Sequence, residues 1–219
     1  MPYLIVTLMV YPVSRRIVPI IYGPWIRKVE GLENIPEDKP FIIASNHTSY
    51  FDDFLLPSII VPRLNKKMHP LVNSYYWKYF ITRFFLDIWE CIPVFVDGDK
   101  DSKKKNEQAV EKALNYLKKK EIVMIFPEGT RSKDGRLKKA YTGVAKLALM
   151  SKAPVLPCGI IGADKVLPRE AMLPRFARCE VKIGKLMYFD GYYNKKTLEE
   201  ATRKIMKEIA KLTSQKYSY

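Results

Sequence analysis

What most constrains the fold of this chain is a repeated switch between short apolar runs and segments with helical periodicity. Residues 41–44, 91–96, 122–126 and 155–161 are apolar stretches of strand length bounded by polar or turn-forming residues, the pattern of strands buried on both faces. Residues 68–72 read as a further strand, although His69 and Pro70 interrupt it. Between these runs, residues 53–60 begin a helix that Pro62 ends, and Val110, Ala113, Leu114 and Leu117 share one helix face. Residues 143–150 form another helix, a last strand pair falls around 180–189, and Leu198, Ala201, Ile205, Ile209 and Leu212 mark a lysine-rich amphipathic helix. Such alternation predicts an α/β fold with a single, largely parallel sheet flanked by helices. A length of 219 residues suits one core.

The first 28 residues read as a separate membrane-interface segment, leaving 29–219 as the globular domain. Residues 1–13 carry no charge, Arg15 and Arg16 interrupt, and residues 17–26 are apolar again before Arg27 and Lys28. Each stretch is shorter than the roughly 20 residues a spanning helix needs. Pro12, Pro19 and Pro24 would break a continuous helix. No basic residue precedes the apolar run and no small-x-small site follows it, which argues against a cleaved signal peptide. Tyr3, Tyr11, Tyr22 and Trp25 suit the headgroup depth of an interfacial helix, and a helix packed on the core is the alternative. Residues 75–86, apolar and aromatic on nearly every side, belong to the core, a membrane contact or both.

A net charge of +15 favours a polyanionic partner, either an anionic membrane surface or nucleic acid. The lysine runs 103–105 and 118–120 fall at helix ends, where solvated charge is ordinary, and no base-stacking aromatics accompany them. Nucleic acid is therefore disfavoured. Cys91, Cys158 and Cys179 are widely spaced and read as reduced core residues. Only His47 and His69 are available for imidazole chemistry, which excludes a His-rich metal site.

The segment Asn46-His47-Thr48-Ser49-Tyr50-Phe51-Asp52 sets a histidine five residues before an aspartate, directly after a predicted strand. On a regular helix, residues five apart lie roughly 140° around the axis, so contact needs the bend of a strand end entering a helix. Asp52 would then sit near a helix N-terminus, hold one ring N–H of His47 and leave the other nitrogen free to accept a proton. A structural pair, the histidine merely satisfied by Asp52, fits the motif equally well. No Gly-x-Ser-x-Gly elbow is present, which favours direct transfer over an acyl-enzyme, with Ser49 as the one exception in reach. His69 has no comparable partner in the sequence.

Phe126-Pro127-Glu128-Gly129-Thr130-Arg131-Ser132 again follows a buried run. Arg131 offers a planar fork for phosphate oxygens, Gly129 permits close backbone approach, and Thr130 and Ser132 add hydroxyls. Glu128 would repel a phosphate directly and fits better orienting Arg131 or binding a substrate hydroxyl. A turn with a surface Arg–Glu pair is the plainer reading of the loop alone.

Taken together, Asn-His-x-x-x-x-Asp and, about 80 residues later, Phe-Pro-Glu-Gly-Thr-Arg-Ser resemble the glycerophospholipid acyltransferases, lysophosphatidic acid acyltransferases in particular. Residues 31–36, Gly-Leu-Glu-Asn-Ile-Pro, and Val155-Leu156-Pro157 extend the resemblance over about 29–161. The resemblance implies an acyl-CoA or acyl-carrier-protein cosubstrate, no further cofactor, a lysophosphatidate acceptor and a phosphatidate product. It implies His47 as base, Asp52 as its orienting partner, and Glu128, Gly129, Thr130 and Arg131 around the acceptor phosphate. It further implies a monotopic or peripheral protein on the cytoplasmic face of a membrane. Two departures stand out. Asp97 occupies the place of an expected arginine, for which Lys100 or Lys103 would substitute, and Glu90-Cys91 replace a usual glycine. Glycerol 3-phosphate or another lysolipid therefore stays open as acceptor, as does a non-catalytic basic lipid-binding protein.

Overall fold

The computed structural model describes residues 2–95 and 101–219, with side chains from residue 12 onward. In chain order the elements are α1 (Pro2–Tyr22), β1 (Ile26–Glu30), β2 (Phe41–Ser45), α2 (Asp52–Leu64), β3 (Met68–Asn73), α3 (Phe80–Ile88) and β4 (Ile92–Val94). There follow α4 (Ser102–Lys118), β5 (Ile122–Ile125), α5 (Gly143–Ser151), β6 (Val155–Ile161), α6 (Ala163–Val166), β7 (Cys179–Ile183) and α7 (Lys195–Leu212). The seven strands form one sheet in the order β1-β7-β6-β2-β5-β3-β4. Every pairing is parallel except β6 with β7. The expected α/β architecture is the one observed.

Strand periodicity divides the core into two layers. Along β2, Phe41 and Ile43 join Leu55, Leu56 and Ile60 of α2 on one face. Ile42 and Ala44 join Ala113 of α4, Val144 and Leu147 of α5, and Ile205 and Ile209 of α7 on the other. Each fully buried branched side chain contributes about 1.5–3 kcal/mol relative to exposure. Cys91, Cys158 and Cys179 are free and buried, with burial raising all three thiols to about 12.

Connections leave the sheet centre in opposite directions. From β2 the chain passes through α2 to β3, beyond β5, whereas from β5 it passes through α5 to β6, beyond β2. Neighbouring strands whose helices cover opposite faces open a crevice at their C-terminal ends, where α/β sheets bind ligands. β2 and β5 are that pair, and the two sequence motifs follow them.

Several expectations required correction. The N-terminal stretch is one continuous helix of 21 residues with Pro12 and Pro19 inside it. Seven residues apart, the two prolines lie on nearly the same side, so the lost N–H donors fall along one face of the helix. No helix among the described residues is long and apolar enough to cross a membrane. α1 packs against α2 and α3, and its last turn meets the core where Tyr22 stacks on Phe51 at 4.7 Å. β1, which begins at Ile26, pairs with β7. α2 continues through Pro57 and Pro62 to Leu64, because burial of Leu55, Leu56, Ile60 and Val61 holds it beyond the first proline. In place of a strand pair around 180–189 there is β7 and a single isolated bridge from Val155 to Met187.

Candidate active site

His47 lies two residues beyond β2, and α2 starts at Asp52. The turn between them bends the chain so that His47 Nδ1 approaches Asp52 Oδ2 at 3.1 Å. The same oxygen accepts the backbone N–H of Thr48 at 2.7 Å and of Ser49 at 2.8 Å. The Asp52 carboxylate is wholly buried at the start of α2. With Nδ1 engaged by Asp52, Nε2 is the ring nitrogen left for another contact. Phe126 stacks on the imidazole at 4.0 Å and 11°, which sets the plane of the ring.

The loop after β5 holds the histidine backbone from the other side. His47 N–H donates to Glu128 Oε1 at 3.0 Å, and the His47 carbonyl accepts Ser132 N–H at 2.8 Å. Glu128 Oε2 accepts Lys138 N–H at 2.9 Å. Glu128 is thus a buried brace between the loops, its oxygens given to backbone amides. Burial raises its carboxyl above the ordinary range, against the pull of those two N–H groups. The expected contact that orients Arg131 comes instead from Tyr50, whose ring lies 3.4 Å from the guanidinium carbon. Gly129 adopts φ +66, and a Cβ there would come within 2.9 Å of the Tyr141 ring, so glycine alone fits. Thr130 is exposed at the crest of the loop.

Among the described residues, the buried polar atoms without a hydrogen-bond partner are Thr48 Oγ1, Asp52 Oδ1 and Arg131 Nη1. All three belong to the two motif loops. Lys100 and Asp97 lie outside the described residues.

Sequence reasoning passed over two contributors and weighed a third in another role. Asn46 pins the end of β2 to β6, with Nδ2 donating to the Ile160 carbonyl and Oδ1 accepting Ile160 N–H, each at 2.8 Å. Ser49, weighed as a nucleophile, donates its hydroxyl to the Leu167 carbonyl at 2.6 Å and accepts Phe51 N–H. This makes it a turn-forming residue. Asp53 is partly buried, and desolvation pushes its carboxyl up to about 6 against the pull of His47 and Arg131. Its place directly after Asp52 was the only signal available. His69 also differs from expectation, because it does have a carboxylate partner, Glu121 Oε2 at 2.9 Å from Nε2.

The family model described as Acyltransferase matches residues 26–161. A 1-acyl-sn-glycerol-3-phosphate acyltransferase of Pseudomonas aeruginosa is 31% identical over 166 residues, covering 75% of this chain and 60% of that protein. A chloroplastic 1-acyl-sn-glycerol-3-phosphate acyltransferase of Arabidopsis thaliana is 30% identical over 68% of this chain and 39% of its own length. The chain therefore matches less than two thirds of the length of these relatives. The crystal structure of the 1-acyl-sn-glycerophosphate (LPA) acyltransferase of Thermotoga maritima superposes with a TM-score of 0.69 at 21% identity. That likeness covers 99% of this chain and 89% of the other and concerns the fold.

Proposed function

This chain belongs to the acyltransferase family, and from that premise we propose that it transfers a fatty acyl group from a thioester to the free hydroxyl of 1-acylglycerol 3-phosphate, giving phosphatidic acid. The observation that carries the reading is that the His47–Asp52 pair and Arg131 lie in the two loops that follow the neighbouring strands β2 and β5. His47 Nε2 takes the hydroxyl proton as the acceptor oxygen attacks the thioester carbonyl. Asp52 stabilises the imidazolium. The tetrahedral intermediate collapses with loss of the C–S bond, and the proton on His47 passes to the departing thiolate. Oxygen gains the acyl group, sulfur regains its proton, and the base is restored. The proton transfer is the protein's own, so the reading includes no cofactor beyond the thioester cosubstrate, acyl-CoA or acyl-carrier protein. Arg131, with a buried N–H that has no partner among the described residues, suits the acceptor phosphate.

A membrane surface is the proposed setting, on the cytoplasmic face. Val13, Ile17, Ile20 and Ile21 of α1 are exposed, as are Phe80, Ile81 and Phe85 of α3 and Met172, Leu173 and Phe176 of the loop after α6. Exposed apolar side chains on these elements, with a chain charge of +15, suit an anionic bilayer that also supplies a lysophospholipid acceptor.

The test is an assay in anionic vesicles with acyl-CoA and acyl-carrier-protein donors against lysophosphatidate, glycerol 3-phosphate and other lysolipids, with products identified by mass. Phosphatidate from lysophosphatidate is the expected product. Acylation of glycerol 3-phosphate alone would reassign the acceptor, and no acylated product from any acceptor would overturn the enzymatic reading.

A further inference from the structure

Arg131 is held by an aromatic chain that begins outside both motif loops. Tyr50 lies face-on to the guanidinium at 3.4 Å, and its hydroxyl is 2.6 Å from the Tyr76 hydroxyl. Their rings meet edge to face at 6.1 Å. Tyr76 sits in the short 3-10 turn Ser74–Lys78, just before α3. Its carbonyl accepts the Thr82 hydroxyl at 2.6 Å, and Thr82 also bonds the Tyr79 carbonyl at 3.0 Å, which ties the turn to the first turn of α3. Burial and the hydroxyl contact both raise Tyr76 well above the ordinary phenol range, so its hydroxyl stays protonated across the working pH range. A guanidinium over a tyrosine face gains about 0.5–2 kcal/mol, but that attraction alone leaves the ring free to turn. The Tyr76 hydroxyl removes that freedom.

Resting on the phosphate-seat reading above, we propose that Tyr50 and Tyr76 are positioning residues that set the Arg131 fork for the acceptor phosphate. Tyr50 supplies the shelf and Tyr76 locks it to the 3-10 turn before α3. One donor of Arg131, Nη1, is buried without a partner among the described residues. A buried donor left unsatisfied costs about 1–3 kcal/mol, and the stack on Tyr50 helps hold the side chain in that costly position until an anion meets it. The acceptor's phosphate is thereby recognised by a group whose geometry is referenced to the 3-10 turn before α3 as well as to its own loop.

The experiment measures kcat and KM for lysophosphatidate and for the thioester donor in Tyr76→Phe, Tyr50→Phe, Tyr50→Leu, Arg131→Ala and the double variant Tyr76→Phe/Arg131→Ala. Losing one hydroxyl contact, as in either Phe variant, should raise acceptor KM about 2- to 10-fold. Tyr50→Leu, which loses the shelf as well, should raise it about 10- to 100-fold. Donor KM should stay within about twofold, and Tyr76→Phe should add nothing once Arg131 is absent, because the two changes act on one interaction. An acceptor KM unchanged in both Phe variants while Arg131→Ala raises it would overturn the proposal and leave the phosphate seat standing. A rise in donor KM equal to that for acceptor, or an undiminished Tyr76→Phe effect in the Arg131→Ala background, would likewise overturn it. An unchanged acceptor KM in Arg131→Ala itself would instead remove the phosphate seat. Thermal melts of each variant identify any that fails to fold, and the two Phe variants retain the rings that pack.

Discussion

The two histidines of this protein are built alike and placed at opposite ends of the sheet. His47 has Asp52 at 3.1 Å and lies against the Phe126 ring at 4.0 Å. His69 has Glu121 at 2.9 Å and lies against the Tyr116 ring at 3.5 Å. A carboxylate partner and an aromatic plane therefore do not mark a functional histidine. The difference lies in the surroundings. His47 follows the C-terminal end of β2, at the crevice, with its side chain 13% exposed. His69 is the second residue of β3, near the strands' N-terminal ends, with its side chain 0% exposed. Its ring spans the Glu90 carbonyl and Glu121, and desolvation pulls its pKa below the ordinary value despite those partners. One pair faces a place where a substrate hydroxyl could arrive. The other closes the base of the sheet.

The sharpest way to break that contrast is to remove each imidazole in turn. His47→Ala should lower kcat by about 10²- to 10⁴-fold in the acyl-transfer assay, with a thermal melt near that of the parent. His69→Gln should leave kcat within about twofold, and equal losses in the two variants would erase the distinction. Next in size is Glu128→Gln, which keeps the shape but replaces one acceptor oxygen with an NH₂ facing a backbone N–H of His47 or Lys138. It should cost about 1–3 kcal/mol in denaturant unfolding and reduce kcat, because the His47 backbone loses its hold. An unaltered unfolding curve would show that the brace is not needed.

Stability against pH sharpens the comparison further. His69 is neutral in the fold and its pKa lies below the unfolded value of 6.5, so the unfolded chain binds more protons. Its contribution is complete above about pH 6.5 and is lost as the pH falls toward and through the folded pKa. His69→Gln should therefore lose stability at neutral pH and flatten the acid side of the curve. Asp53, beside His47, acts in the opposite direction. Its folded pKa of about 6 exceeds the ordinary 3.8, so the native state holds the extra proton and stability declines as pH rises between those values. Asp53→Asn should stabilise by about 1–2 kcal/mol above pH 6 after allowance for its partial exposure, and should give no gain below pH 4. This is the smallest of the expected effects, and a gain that persists at pH 4 would show that desolvation of the carboxylate is not its source.

By itself the sequence determined the fold class and the two motif loops, because both depend on local signals. Apolar runs of strand length specify buried strands, and a histidine or a Gly-Thr-Arg turn placed directly after one must emerge at a strand end. It could not determine which strand ends are neighbours. That β2 lies beside β5, with the chain leaving them in opposite directions, comes from long-range pairing of Phe41 with Ile122 and Ala44 with Ile125. The continuous α1 was unreadable because local proline penalties outweigh any visible sequence cue, whereas packing against α2 and α3 gives the helix support it lacks alone. The bracing contacts of Glu128 were unreadable for the same reason. In sequence it is a charge beside an arginine, and only the tertiary structure delivers to it the amides of His47 and Lys138, 81 and 10 residues away. Tyr76 belongs with these cases, since its meeting with Tyr50 across 26 residues depends on where tertiary packing places the 3-10 turn before α3. Residue chemistry was legible wherever the partner was near in sequence, and tertiary packing decided it wherever the partner was distant.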